Sequence, residues 1–283
     1  MCTLIICANL YLYYYQYNHS QNQQCIKGLS MENYKITVSY DGTTYKGWQV
    51  QKNTEATIQG KLEKILSTLC DSTIEVHGSG RTDAGVHALK QVANFHADIP
   101  SEMSTEDLLM YINKYLPEDI SVNSLEKVEA RFHARLSAVG KTYRYRIHVS
   151  PIADVFQKKY VYTYLDSPIN IDLMRKSAAD LVGQHDFMAF CGNKHMKKSS
   201  VRTITDIKIV EICDEHGRKE IQIDYTGNGF LQNMIRIITG TLIEIGTGRL
   251  SPDRIPSILE SKDRQNAGYT APAQGLCLMD VYY

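Results

Sequence analysis

IEVHGSGRTDAGVHALKQVANFHA, running from Ile74 to Ala97, sets the architecture. Ile74–Ser79 has strand character, a glycine-rich loop follows as far as Ala88, and Gln91–Ala97 alternates again with Ala93, Phe95 and Ala97 on one side. A strand, a tight loop and a returning strand is a β-sheet signature. Gly78, Gly80 and Gly85 flank one arginine, Arg81, and one aspartate, Asp83. Glycine admits positive φ and close approach of another backbone, so such a loop can present a carboxylate to a large substrate. No third glycine follows at dinucleotide-fingerprint spacing, and no Lys-Ser/Thr ending marks a P-loop. By itself the stretch fits a tight turn with a structural Arg–Asp pair equally well.

Outward from this loop the grammar mixes strands and amphipathic helices. Tyr34–Tyr40 alternates and ends in Asp41-Gly42, which reads as a half-buried strand and a turn. Thr57–Leu69 sets Ile58, Leu62, Ile65, Leu66 and Leu69 on one helical face. Thr105–Tyr115 reads as a helix and Ile120–Val128 as a strand. Lys141–Val149 is a strand with Tyr143, Tyr145, Ile147 and Val149 on one face and Arg144, Arg146 and His148 on the other. Helices are predicted over Asp172–Val182, Phe230–Ile245 and Pro252–Glu260, and strands over Thr205–Ile212, Glu220–Thr226 and Gly275–Tyr283. The class is therefore α+β, with internal pseudo-symmetry and no low-complexity linker, so the two halves are expected to share one sheet.

The chain has 283 residues, 31 basic and 31 acidic, so its formal charge is zero. The hydrophobic fraction of 43% excludes wholesale disorder, collagen and a disulfide miniprotein. Neutrality removes the simplest argument for nucleic acid, a globally basic protein, so any such claim must rest on local features. Residues 1–30 differ from the rest: they hold a single charged residue, Lys27, with five of the 19 tyrosines. Their apolar run lacks a preceding basic residue and a small-residue cleavage site, and it is shorter than the roughly 20 residues of a membrane span. Lys27-Gly28 requires a purine-rich codon string just upstream of Met31, so the true start is expected at Met31 and residues 1–30 are expected to be an extension upstream of it. Cys70, Cys191, Cys213 and Cys277 form no metal-ligand spacing and read as small buried hydrophobes in a reducing cytoplasm.

GRTDAGVHA resembles the catalytic motif of the TruA family of tRNA pseudouridine synthases. YKITVSYDGTTYKGWQVQ (34–51), ARFHARLSAVGKTYRYRI (130–147), GNGFLQNMIRIITGTL (227–242) and TAPAQGLCLMDVYY (270–283) resemble further blocks of that family, in order, over some 250 residues. Leu136 and Gln232 are mild departures, at positions where Phe and Tyr or His are frequent. The resemblance implies a pseudouridine synthase fold: two pseudo-symmetric halves, 31–135 and 136–283, a mixed and mainly antiparallel central sheet, helices on one face and a cleft between the halves. It implies that Asp83 is the catalytic aspartate, that Arg81 positions and extrudes the target nucleotide, that Tyr143 packs on the uracil, that Arg236 ion-pairs with Asp83 and that Leu276 floors the pocket. It also implies a cofactor-free, metal-free isomerase acting on uridines 38, 39 and 40 of the tRNA anticodon stem-loop, working as a cytoplasmic homodimer.

The residues agree with these roles on physical grounds. Uridine and pseudouridine are isomers, so neither a redox cofactor nor a group donor is required. A cation beside a carboxylate favours its charged form, which Arg236 can supply. On its helix Arg236 shares a face with Gln232, Asn233, Thr239 and Gly240, a polar stripe expected to wall the site. Candidate RNA-backbone contacts are Arg144 and Arg146 on their strand, and Lys194, Lys197, Lys198 and Arg202 in a loop without apolar periodicity. Two other classes compete: a non-catalytic tRNA-binding or folding factor, and a nucleoside hydrolase releasing uracil. The first has no use for Arg81, Asp83, Tyr143 and Arg236 together, and the second ordinarily needs a second acid–base group or a metal.

Overall fold

The first strand, β1 (Glu32–Tyr40), realises its alternation directly: Tyr34, Ile36, Val38 and Tyr40 are buried, while Lys35, Thr37 and Ser39 between them are half-covered. Tyr34 stacks on Phe95 of the neighbouring strand at 5.4 Å between ring centroids. The computed structural model describes residues 31–193 and 195–283. The expectation about residues 1–30 and the candidate Lys194 fall outside the described residues.

Ten strands form one sheet. After β1 come β2 (Val76–Gly78), β3 (His87–Ala97), β4 (Ile120–Val128), β5 (Gly140–His148) and β6 (Tyr162–Thr163). They are followed by β7 (Gly183–Asp186), β8 (Val201–Cys213), β9 (Lys219–Gly227) and β10 (Leu276–Tyr282). The order across the sheet is β4-β1-β3-β10-β5-β9-β8-β7, with β2 beside β3 and β6 beside β5. Every pairing is antiparallel except β3 with β10 and β5 with β6. The sheet is thus mixed and mainly antiparallel, as expected. The C-terminal strand makes it continuous: β10 pairs with β3 through Cys277 and Leu278 on one edge and with β5 on the other.

Among the described residues five helices accompany the sheet: α1 (Ile58–Cys70), α2 (Thr105–Tyr115), α3 (Ile171–Ala179), α4 (Met234–Gly246) and α5 (Arg254–Ser261). In α1 the buried residues Ile58, Leu62 and Leu66 recur every four positions, and Thr57 caps the first turn by accepting from the Gly60 N–H. Ser104 and Asp107 close a capping box on α2. Helix α4 is buried on nearly all sides, in keeping with the predominance of isoleucine and leucine in its sequence.

Two helix boundaries and one cysteine depart most from the sequence expectation. Helix α3 ends at Ala179 rather than Val182, because Gly183, at φ 112°, turns the chain into the unanticipated strand β7. Helix α4 starts at Met234 rather than Phe230, because Asn233 is left-handed, with φ 59°. Cys213 is exposed at the end of β8, so the buried-hydrophobe reading holds for Cys191 and fails there.

Candidate active site

The loop between β2 and β3 carries Asp83, and its path is fixed from several sides. Trp48 N–H donates to the Thr82 carbonyl (3.1 Å), Gly85 N–H to the Tyr45 carbonyl (3.3 Å) and Val86 N–H to the Asp83 carbonyl (3.1 Å). The Tyr40 and Thr82 hydroxyls are 2.9 Å apart. Gly47, at φ 100°, is what lets the two backbones meet: a Cβ there would lie 2.6 Å from the Thr82 oxygen. Gly85, at φ 78°, makes the turn that follows the carboxylate. Gln91, fully buried on β3, accepts from the Ser79 hydroxyl (2.7 Å) and donates to the Gly80 carbonyl (3.0 Å). From β5, Lys141 donates to the Ser79 carbonyl at 2.6 Å. His87, on β3, accepts at Nδ1 from the Gly42 N–H (3.1 Å), while Nε2 lies 3.0 Å from the Lys159 carbonyl. The Asp41 carboxylate also lies 3.2 Å from Nδ1; burial pushes the ring's pKa down, and the Asp41 charge opposes it.

Asp83 therefore stands on a rigid loop and faces the N-terminus of α4. Its carboxylate lies 3.6 Å from Arg236 Nη1, a charge contact longer than a normal hydrogen bond. Arg236 is itself aimed: Nε donates to the Ala271 carbonyl (2.7 Å) and Nη1 to the Asn233 side-chain oxygen (3.0 Å). Burial raises the pKa of Asp83, and the Arg236 charge and the hydrogen-bonding groups of Arg236 and Asn233 oppose it, leaving a net upward shift. The positive end of the α4 dipole also favours the anion. The result is a carboxylate less hydrated than a surface aspartate, held by one cation without a tight hydrogen-bonded pair.

Tyr143 is buried, on the sheet face that meets this loop, and packs edge-on against Phe230 with centroids 5.5 Å apart. Burial, then Tyr40, then the Asp83 charge, raise its phenol pKa, so the ring stays neutral. Leu278 is its direct partner across the β5–β10 ladder; Leu276 pairs with Tyr145 instead, one step along the same face. Tyr145 belongs to the core: it is fully buried and donates to the Pro272 carbonyl (2.7 Å). Arg81 is exposed beside Asp83.

The remaining candidates divide. Arg144 forms a two-pronged pair with Asp224 (2.7 and 2.8 Å), and Arg146 does so with Glu220 (2.7 and 2.8 Å), on the sheet face opposite Tyr143. His148 is buried against the Ile152 carbonyl at 2.8 Å. Both arginines border a cavity of about 610 Å³ that contains none of Asp83, Tyr143 and Arg236. Lys197 and Lys198 are exposed; Arg202 turns back onto the carbonyls of Ser199 and Val201. The expected polar wall on α4 is shorter than the stripe. Thr239 is buried and bonds to Tyr225 (2.9 Å), and Gly240 is pressed against the Tyr269 carbonyl, so only the Asn233–Arg236 turn reaches the carboxylate. Sequence reasoning assigned no part to Gln91 or Lys141. The signal for Lys141 was its place two residues before Tyr143, hence on the same face of β5.

A family model for tRNA pseudouridine synthase matches residues 36–136 and 177–283. A protein of Bacillus cereus named tRNA pseudouridine synthase A 2 is 44% identical over 253 residues, covering 89% of this chain and all of that protein. Proteins named tRNA pseudouridine synthase A from a Bacillus strain and from Acetivibrio thermocellus are 45% and 42% identical, each over 89% of this chain and their own full length. With the motif carried on the loop that presents Asp83 to Arg236, and with matches of this extent on both sides of it, the chain belongs to the TruA family of tRNA pseudouridine synthases.

Proposed function

We propose that this protein isomerises uridine to pseudouridine at one or more of positions 38, 39 and 40 of the tRNA anticodon stem-loop, with Asp83 as the catalytic carboxylate. The observation that carries the reading is the pairing of Asp83, on its braced loop, with Arg236 at 3.6 Å, beside the buried face of Tyr143.

The reaction breaks the N1–C1′ bond and forms a C5–C1′ bond; N1 gains a proton and C5 loses one. Electrons and atoms balance within the nucleotide, so the chain's own side chains suffice. Asp83 starts the reaction in its ionised form, by attack on C1′, by addition to C6, or by removing the C2′ proton to leave a glycal; family chemistry favours the last. Arg236 keeps the carboxylate ionised and restricts its orientation. The target base must first leave the stack. Arg81, exposed on the same loop, takes the space the base vacates, and Tyr143 with Leu276 gives the detached uracil an apolar surface on which to turn. A homodimer in the cytoplasm is part of this reading: spreading the contact over two subunits lets a neutral chain hold a polyanion.

Incubation of unmodified tRNA with wild type and with Asp83→Asn, followed by carbodiimide mapping of pseudouridine, tests the proposal. Product in the anticodon arm with wild type alone supports it. Equal modification by both removes Asp83 from the mechanism, binding without product supports a folding factor, and free uracil supports a hydrolase. Sedimentation of the full chain at about twice its mass of 32.1 kDa tests the dimer.

A further inference from the structure

A second cavity, of about 400 Å³, opens against the first limb of the catalytic loop. Gly78, Gly80 and Arg81 form one side of it, Trp48 and two neutral glutamines a second, and His133, Arg135, Leu136 and Lys198 the rest, with His77 beside them. Among the described residues no aspartate or glutamate lines it. Among the described residues Arg81, Arg135 and Lys198 form no ion pair, although all three side chains are exposed. Lys141, whose ammonium braces Ser79 from below, also lacks a carboxylate; burial and the Arg135 charge push its pKa down to about 8.

The imidazoles add directed donors. The rings of His77 and His133 stack, with centroids 5.0 Å apart and planes 20° from parallel. His133 Nδ1 accepts from the Arg135 N–H at 3.1 Å, so the neutral ring carries its proton on Nε2 and can donate. Burial, then the proximity of His77, push its pKa down, with Arg135 and His96 acting in the same direction. Positive groups thus crowd one concave, carboxylate-free surface, and an incoming anion relieves their mutual repulsion.

We propose that this cavity is a seat for a backbone phosphate of the RNA strand that carries the target uridine, gripped by Arg135 and Lys198, with His133 donating through Nε2 and Arg81 beside it on the catalytic loop. The proposal rests on the reading of the Asp83 loop as the catalytic site. Phosphate is the ligand chemistry that fits: arginine and lysine at the rim for its charge, and neutral N–H donors from His133 and Gln49 for its remaining oxygens. Seating the phosphate next to Arg81 fixes the strand at the point where the nucleotide must turn out.

The test is binding of unmodified tRNA transcript to the full chain, followed by fluorescence anisotropy from about 50 to 300 mM KCl. In Arg135→Gln/Lys198→Gln the affinity falls about tenfold near physiological salt, and the slope of log K against log salt flattens by about 1–2. KM rises with the loss of affinity while kcat falls less. Arg135→Lys, which keeps the charge, retains most of the slope. Lys176→Gln, which removes a charge on α3 paired with Asp253, leaves the slope unchanged. In a stem-loop RNA, a neutral methylphosphonate is placed in turn on either side of the target uridine. At the seated position it weakens wild type but not the double variant. An unchanged slope in a folded double variant, or equal weakening of wild type and double variant by both methylphosphonates, overturns the seat. Continued turnover by Asp83→Asn instead overturns the catalytic reading, whatever the salt slopes show.

Discussion

Two surfaces of this molecule carry clustered cations, and strand β5 serves both. On one face, Arg144 and Arg146 lie in a ladder with Asp224 and Glu220, each guanidinium matched to a carboxylate. On the other, Lys141 reaches the catalytic loop with no carboxylate to answer it, near the equally unpaired Arg81, Arg135 and Lys198. Lys141 and Arg144, an odd number of positions apart on the strand, meet opposite fates because successive side chains point to opposite faces. The paired set stabilises the sheet and is electrostatically spent; the unpaired set keeps its charge for a ligand. Local charge balance, not the number of basic residues, separates scaffold from binding surface, which is how a neutral chain can still hold RNA.

The comparison is tested most severely at the catalytic loop. Asp83→Asn is expected to cost at least about 10³-fold in turnover, measured as pseudouridine formed in a single-turnover assay. Arg236→Gln is expected to cost about 10²-fold in kcat. It should also move the acid limb of the pH–rate profile upward, because burial already raises the Asp83 pKa and the Arg236 charge is the main influence opposing it. An acid limb that stays in place detaches Arg236 from the ionisation of Asp83. On the opposite face, Arg146→Gln is expected to lower stability by about 1–2 kcal/mol in urea unfolding, since it breaks a half-buried two-pronged pair. It should leave the salt dependence of tRNA binding alone; a flattened salt slope in that variant erases the distinction between the two surfaces. The smallest effect is a rise in Tm for Asp83→Asn. A carboxyl whose folded-state pKa is raised binds its proton more tightly folded than unfolded, so its contribution to stability is lost as pH rises from the unfolded value through the folded one. At neutral pH the ionised Asp83 is therefore a cost, and the neutral isostere removes it; an unchanged or lower Tm at pH 7 contradicts this.

Much of this was legible in the sequence, for reasons that differ from residue to residue. Alternation identified β1, β3 and β5, and a four-residue apolar spacing identified α1, because burial on one face imposes those periods. The glycines around Arg81 and Asp83 marked a loop under close approach. Short elements escaped. Strand β7 has four residues and exists only because β8 lies beside it, and the α4 boundary depends on one left-handed asparagine. The basic loop at 194–202 suggested a phosphate surface by composition, yet among the described residues only Lys198 of its lysines lines the cavity; its partners His77, His133 and Arg135 come from distant segments.

The sequence by itself determined the class of the fold and the family, and it marked the loop that carries Arg81 and Asp83, since these are written in local period, in glycine placement and in ordered blocks of motif. Tertiary structure decided which charges are free. Arg144 and Arg135 look alike as letters, and neither periodicity nor composition separates them. One meets a carboxylate across a strand ladder; the other lines a cavity with no carboxylate in it. Coulomb energy depends on distance and burial, and for residues far apart in the chain only the assembled sheet sets those quantities.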